Sequence, residues 1–171
     1  CTDGLILVGG PTGSGKSSTL ATLIDQLNRE RALHIITLED PVEVIHNSQR
    51  SLVNQREIGR HSGGFAQGLR SALRQDPDVI MIGELRDLET IRLALRAAET
   101  GHLVLATVHT RSAVNSVDRL VEVFAAEEKP LVRAMLAESL RLVVAQVLVR
   151  RVGGGRVAAR EVLMATTAVR N

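Results

Sequence analysis

The residues with the clearest chemical potential form a glycine-rich segment, residues 10–17, with the sequence GPTGSGKS. It fits the pattern G-x-x-x-x-G-K-[ST] at every position. Glycines let the backbone turn so that successive N–H groups face inward, and a lysine adds a compact positive charge on a slim stem. Lys16 is one of only two lysines in the chain, the other being Lys129. The segment is therefore predicted to wrap around the phosphate groups of a nucleotide.

The phosphate-loop interpretation assigns a role to each polar group. Lys16 reaches the β- and γ-phosphates of ATP or ADP, and the Ser17 hydroxyl binds Mg²⁺. A helix that begins near Lys16 adds its positive dipole end. The residues predicted to bind the nucleotide are Pro11, Thr12, Gly13, Ser14, Gly15, Lys16, Ser17 and Ser18. The alternative, a turn without a ligand, is disfavoured because a strand-like run precedes the segment and a helix-like stretch follows it.

Polar side chains also follow three further apolar runs, each of which is predicted to be a buried strand. They are Glu39 and Asp40 after residues 33–38, Glu84 after residues 79–82, and His109 after residues 103–108. In open parallel sheets, ligands bind beyond the carboxyl ends of the strands. We therefore expect these side chains to converge beside the phosphate loop.

The chemistry of phosphoryl transfer suggests how these side chains act. Glu84 is predicted to hold Mg²⁺ through water, Glu39 to polarise the attacking water, and His109 to contact the γ-phosphate. Each also has a structural alternative: Glu84 as a helix cap, Glu39 as a loop carboxylate, and His109 as a core histidine. Asp40 is compatible with a turn, and Glu43 has no assigned role.

The pattern of the chain predicts an α/β fold with a mostly parallel, helix-covered sheet and an antiparallel addition at the C-terminal end. Residues 5–8 form a first strand, and residues 41–58 hold short strands or a hairpin. Two more strands at 146–150 and 156–164 are joined by a glycine turn. The predicted helices are 17–29, 65–74, 87–99, 112–123 and 130–143.

Composition supports one soluble domain with an aliphatic core, since 44% of the residues are hydrophobic and only 1% are aromatic. The net charge is +2, and the only tight basic pair is Arg150 with Arg151, so no basic stripe indicates nucleic-acid binding. The single cysteine, Cys1, excludes a disulfide framework. No apolar run approaches the length of a membrane helix. The chain starts without Met, so we expect a piece of a longer protein.

Together these segments resemble the secretion ATPase superfamily that drives type II secretion and type IV pili. The similarity covers nearly the whole chain in the same order and spacing. Beside the phosphate loop, the similar segments are the long Walker B signature at residues 69–78 (LRSALRQDPD) and 83–87 (GELRD), the aspartate box at 36–43 (ITLEDPVE), and the histidine box at 101–104 (GHLV) and 107–110 (TVHT).

Within this superfamily the sequence is most similar to the type IV pilus retraction ATPases. The segments that carry this similarity are 52–57 (LVNQRE), 126–129 (AEEK), 153–159 (GGGRVAA) and 168–171 (AVRN), the last being the start of the Ala-Ile-Arg-Asn motif. Assembly and secretion relatives commonly carry a four-cysteine zinc insertion, which this sequence lacks.

The resemblance implies a RecA-like domain over residues 1–171 and a homo-hexameric ring at the cytoplasmic face of the inner membrane, peripheral to the bilayer and without nucleic acid. It implies that Mg²⁺-dependent ATP hydrolysis depolymerises the pilus through an inner-membrane platform protein. The family's N-terminal domain, which supplies arginines to the neighbouring site, and its last C-terminal helices are expected to lie outside this sequence.

Other functions remain open at this point. The nearest is a motor of the same superfamily that assembles pili or drives secretion. A RecA-like nucleic-acid motor lacks support, because the sequence has no Trp or Tyr on which bases could stack. A nucleotide-binding module that assembles a partner without hydrolysis is a third alternative. A small-molecule kinase would need a second substrate pocket, which the sequence does not indicate.

Overall fold

The computed structural model describes residues 2–167, and within them seven strands and five helices form an α/β domain. Cys1 and the predicted motif at residues 168–171 lie outside the described residues. In chain order the elements are β1 (Gly4–Gly9), α1 (Lys16–Glu30), β2 (His34–Glu39), β3 (Leu52–Glu57), α2 (Phe65–Ala72), β4 (Val79–Ile82), α3 (Leu88–Glu99), β5 (Leu103–Val108), α4 (Ala113–Glu122), α5 (Lys129–Ser139), β6 (Leu140–Arg150) and β7 (Arg156–Met164).

The strands form one sheet in the order β3-β2-β4-β5-β1-β6-β7. The first six strands in this order are parallel to one another, and the last, β7, pairs antiparallel with β6. The predicted fold class is therefore confirmed, including the antiparallel addition. The glycine turn at residues 153–155 joins β6 to β7, and all three of its glycines have positive φ angles.

Helices cover both faces of the sheet, which explains why β4 and β5 are buried along their whole length and almost entirely apolar. On one face, α1 packs Leu20 and Ile24 against the sheet residues Val8 and Ile35. The second core cluster holds the apolar sides of α2 to α5, with members such as Leu69. The core is aliphatic, as the composition predicts.

Side-chain caps set where two helices of the second face begin. The Asp87 carboxylate accepts a hydrogen bond from the Thr90 backbone N–H at 2.8 Å, so α3 starts directly after the segment that contains Glu84. Ser112 accepts from the Asn115 N–H at 3.1 Å and starts α4 shortly after β5. Each helix therefore begins within a few residues of the end of the preceding strand.

Two predicted elements are wrong in part. The helix predicted for residues 130–143 ends at Ser139, and Leu140 already belongs to β6. Its apolar side chains suit either structure locally, but pairing of Leu142 with Ile6 of β1 places this stretch in the sheet. Residues 41–58 form no hairpin, because their single strand, β3, pairs in parallel with β2.

The strand order determines which segments can meet at the functional edge. β1 lies between β5 and β6, and β4 lies between β2 and β5. Since these five strands are parallel, their carboxyl ends lie along one edge of the sheet. The loop that leaves β1 is therefore flanked by the segments at the ends of β5 and β6.

Candidate functional site

A cavity of about 570 Å³ opens at this edge, and it joins the phosphate loop to the ends of four other strands. Its lining includes Lys16, Glu39, Glu84 and His109, which come from separate elements of the chain. The expected convergence of these side chains is thus present in the structure. Their chemical roles stay predictions.

The phosphate loop passes directly into α1, which begins at Lys16. The preceding Gly15 has a φ of 88°, a left-handed conformation that glycine adopts without steric cost. The Lys16 ammonium donates hydrogen bonds to the carbonyl oxygens of Gly10 and Pro11, at 2.9 and 3.0 Å. The lysine therefore closes the loop on itself while its charge lies at the cavity wall.

The electrostatic setting of Lys16 is unusual for a lysine. Only 8% of the residue is exposed, and this burial lowers the pKa of its ammonium below 10.5. The carboxylates of Glu84 and Glu43 act in the opposite direction and offset part of the effect. Burial disfavours the charged form of Lys16 more than the two carboxylates favour it. A phosphate anion bound beside the ammonium would therefore stabilise its charge.

Most, but not all, of the residues predicted to contact the nucleotide line the cavity. Those that do are Thr12, Gly13, Gly15, Lys16, Ser17 and Ser18. Pro11 is exposed, and its carbonyl is already engaged by Lys16. Ser14 is buried away from the lining, and its hydroxyl has no hydrogen-bond partner among the described residues. Nucleotide contacts of Pro11 and Ser14 therefore rest on the sequence pattern alone.

Glu84 is the centre of a small charged cluster. One carboxylate oxygen lies 3.2 Å from His109 Nε2, and the other lies 2.6 Å from an Arg86 guanidinium nitrogen. The side chain of Glu84 is 17% exposed and that of His109 is 41% exposed. Burial by itself would raise the pKa of Glu84, but the Arg86 hydrogen bond and the charges of His109 and Arg86 outweigh it, so its pKa lies below the usual value. The carboxylate form is thereby stabilised.

Gly83 allows the end of β4 to approach β2 closely. A Cβ atom at this position would lie 3.2 Å from the Leu38 carbonyl oxygen and 3.5 Å from the Glu39 Cα. The Gly83 N–H donates to that same carbonyl at 2.7 Å. A larger residue would be in tight contact with the Leu38 carbonyl, so the backbone there would have to shift by a few tenths of an ångström.

Glu39 is the last residue of β2 rather than the first residue of the following loop, and it is almost fully buried. Its Oε1 accepts hydrogen bonds from Thr37 Oγ1 at 2.6 Å and from Gln55 Nε2 at 3.0 Å. Both of these bonds are made to Oε1, and no hydrogen bond from another described residue to Oε2 is identified. One oxygen is thus fixed while the other is free to accept a proton at the cavity.

The structure adds residues that the sequence interpretation left without a role. Asp40 and Glu43 line the cavity, as do Arg86, Leu148 and Arg156. The ion pair between Glu84 and Arg86 could have been predicted, because the two residues are only two positions apart. The position of Arg156 at the cavity depends on how the β6–β7 hairpin folds back. His102 lies apart from the cavity and shares hydrogen bonds with the Ala97 carbonyl and Thr100. Its contacts here are structural.

The donor set fits a magnesium nucleotide. Mg²⁺ keeps several waters and takes only one or two carboxylates from the protein, the rest of its shell coming from phosphate and hydroxyl oxygens. Ser17 and Glu84, which both line the cavity, are the residues that would hold it. Residues 2–167 hold no group of three or more His, Cys, Asp or Glu side chains that could hold a metal ion by themselves.

Membrane insertion by a helix is not indicated in the part of the chain that the structure describes. None of the helices there has both the length and the apolar character needed to cross a bilayer.

The family described as Type II/IV secretion system protein matches residues 2–166. The Type IV pilus retractation ATPase PilT of Pseudomonas aeruginosa is 61% identical over 168 residues, which are 98% of this chain and 49% of that protein. The Type IV pilus assembly ATPase PilB of Acinetobacter baylyi is 47% identical over 149 residues, covering 86% of this chain and 24% of that protein.

A solved structure extends the likeness to three dimensions. The crystal structure of the pilus retraction motor PilT with bound ADP superposes with a TM-score of 0.96 at 52% identity, covering 98% of this chain and 49% of that one. This chain thus spans about half the length of the retraction relatives it matches. Since the family match extends over almost every residue, the chain belongs to the Type II/IV secretion system protein family.

Proposed function

We propose that residues 1–171 are the motor domain of a type IV pilus retraction ATPase, which hydrolyses ATP to ADP and phosphate in a Mg²⁺-dependent reaction. One observation carries this proposal: the phosphate loop, through Lys16 and Ser17 among others, lines the same cavity as Glu39, Glu84 and His109. The relative with 61% identity is a retraction ATPase by name, and the superposed motor structure holds ADP.

In the proposed reaction, Lys16 and the inward N–H groups of the phosphate loop bind the β- and γ-phosphates. Ser17, and Glu84 through water, would hold Mg²⁺, which when bound would supply positive charge to the phosphate oxygens. Glu39 accepts a proton at its free Oε2 from the attacking water, whose oxygen forms a bond to the γ-phosphorus. The bond between the γ-phosphorus and the β–γ bridging oxygen breaks, and that oxygen leaves with ADP. His109 contacts the γ-phosphate through a hydrogen bond of its imidazole ring.

The proposed direction of the motor is retraction. The retraction relative is 61% identical over 98% of the chain, against 47% over 86% for the assembly relative. Deleting the gene distinguishes the two functions. Loss of a retraction motor leaves piliated cells that do not twitch, whereas loss of an assembly motor leaves cells without pili.

The proposed assembly is a homo-hexameric ring that is peripheral to the cytoplasmic face of the inner membrane and acts on an inner-membrane platform protein. No nucleic acid takes part. In this ring each site is completed by a neighbouring subunit, so that ATP turnover moves subunits against one another. The support is the family membership together with a cavity that opens to solvent at the sheet edge.

The experiment that tests the proposed function measures steady-state Mg²⁺-ATP hydrolysis per subunit against protein concentration. The Glu84→Gln variant serves as the blank. A rate that rises with concentration and vanishes in the variant is expected for a shared site. Nucleotide binding without turnover in the full-length protein would refute hydrolysis and support the assembly-module alternative. Turnover that is independent of concentration would refute the shared site.

A further inference from the structure

The phosphate loop has a partner that lies outside the motif, on the strand β6. Gln146 is 97% covered, with 3% of its surface exposed. Its Nε2 donates to the Ser14 backbone carbonyl at 2.8 Å, and its Oε1 accepts from Thr19 Oγ1 at 2.9 Å. One side-chain amide therefore joins the loop to the first turns of α1 and uses both of its polar ends to do so.

The tertiary structure places Gln146 at the point where this contact is possible. β6 pairs with β1 up to Gly9 and Ala145, so Gln146 comes one position beyond the shared ladder, just where the chain leaves β1 and enters the loop. On its other side β6 continues in register with β7. The amide is thus mounted on a strand that is held from both sides.

The contact with Ser14 has a geometric consequence for phosphate binding. In a planar trans peptide, the C=O and the following N–H point in opposite directions. Gln146 draws the Ser14 carbonyl toward β6, so the N–H of Gly15 in the same peptide unit must point away from β6. Gly15 lines the cavity, and its N–H has no acceptor that the described residues supply.

Gly15 also needs the close contact that its missing side chain permits. A Cβ atom there would lie 3.3 Å from Gln146 Nε2, which is tight, and the φ of 88° would strain any other residue. Gly15 therefore permits this orientation of the Ser14–Gly15 peptide, and the hydrogen bond from Gln146 selects it.

We propose that Gln146 is a positioning residue for phosphate binding, which holds the Ser14–Gly15 peptide with its N–H turned toward the phosphate groups. This inference rests on the proposed nucleotide site. In addition to pairing with β1 and β7, β6 would then hold the phosphate loop in position through Gln146.

The test compares purified wild-type protein with Gln146→Leu, a replacement of similar size that removes both hydrogen bonds. The dissociation constant of ADP is expected to rise about 10-fold, as for the loss of a buried hydrogen bond that orients the loop. Binding of adenosine, which has no phosphate, is expected to stay unchanged. Gln26→Leu, at an exposed position of α1, is the matched control and should bind ADP as wild type does.

A second variant keeps the inference testable if Gln146→Leu does not fold. The carboxylate introduced by Gln146→Glu cannot donate to the Ser14 carbonyl, but its protonated form can. ADP affinity of this variant should therefore increase relative to wild type as the pH falls toward the ordinary carboxyl value of about 4.3 or the higher value that burial favours.

The outcomes separate this inference from the proposed function. If wild-type protein does not bind ADP, the proposed site itself is wrong. If wild type binds ADP and a folded Gln146→Leu variant binds it equally well, only the positioning role is refuted. An equal loss of ADP and adenosine binding would show a general structural role and overturn the inference. The inference would also be overturned if the ADP affinity of Gln146→Glu relative to wild type did not change with pH.

Discussion

Replacing Lys16 with methionine should separate phosphate binding from the stability of the fold. Methionine keeps an unbranched side chain of similar length but carries no charge. In the structure the Lys16 ammonium is buried and donates to the Gly10 and Pro11 carbonyls. The substitution removes these two hydrogen bonds and also removes the cost of burying a charge, which lowers the pKa of the ammonium. The two effects on stability have opposite signs.

The expected magnitudes follow from this balance. A hydrogen bond to a charged group contributes about 1.5–3 kcal/mol, so losing the phosphate contact should weaken ADP binding about 100-fold. Without nucleotide, the near-cancellation should keep the free energy of unfolding within about 1 kcal/mol of wild type, or about 2–4 °C in Tm for a domain of this size. Binding is therefore affected far more than stability.

Thermal unfolding with and without ADP measures both quantities in one assay. At an ADP concentration about 1,000 times the wild-type Kd, ligand binding stabilises wild type by about 4.1 kcal/mol, whereas a 100-fold weaker variant gains only about 1.4 kcal/mol. Lys129→Met, which changes the only other lysine, should behave as wild type. An unaltered ADP-induced rise in Tm for Lys16→Met would refute the role of Lys16. A large loss of Tm without nucleotide would refute the stability argument.

Three further predictions concern single side chains. Glu39→Gln should retain ADP affinity while kcat for ATP falls by about 10²–10⁴, as expected when a general base is lost. Glu84 has a pKa below its ordinary 4.5, so it contributes stability above that value that is lost as pH falls through the lower folded pKa. Denaturant unfolding at several acid pH values should therefore show a flatter acid limb for Glu84→Gln. Leu69→Ala, in the core, should lower the free energy of unfolding by about 2–5 kcal/mol, measured with denaturant.

Each of these predictions has an outcome that contradicts it. If the Glu39→Gln variant kept the wild-type kcat, Glu39 would not be the general base. An acid limb as steep in Glu84→Gln as in wild type would mean that the Arg86 and His109 contacts do not stabilise the fold. The control for Leu69→Ala is Leu131→Ala at an exposed position of α5, which should change stability by about 0.5 kcal/mol or less. Equal losses in these two variants would contradict the assignment of the core.

The sequence predicted the phosphate loop and the fold class because both depend on local order. The loop is contiguous, and its glycines and lysine carry their conformational and electrostatic preferences with them. Apolar runs separated by amphipathic stretches are enough to predict a helix-covered parallel sheet. Glu39, Glu84 and His109 could be found because each ends such a run or follows it within two residues.

Local order was insufficient at the end of α5 and in the segment before β3. The apolar residues from Leu140 onward fit a helix by their spacing, and only pairing with β1 makes them a strand. The length and direction of a strand depend on the neighbour that supplies its hydrogen bonds, and that neighbour is distant in sequence. For the same reason the parallel pairing of β3 was not evident.

By itself, then, the sequence predicted which residues are candidates for the chemistry: the loop that can turn around phosphate, and the acids Glu39 and Glu84 at or just beyond the ends of two strands. Only the tertiary structure decided which residues support them. It placed Arg86 and His109 on the two oxygens of Glu84, fixed one oxygen of Glu39 through Gln55, and brought Gln146 to the loop. Apart from the Arg86 contact, which joins residues two positions apart, these contacts join separate segments of the chain, and their geometry follows from the strand order, which no local pattern encodes.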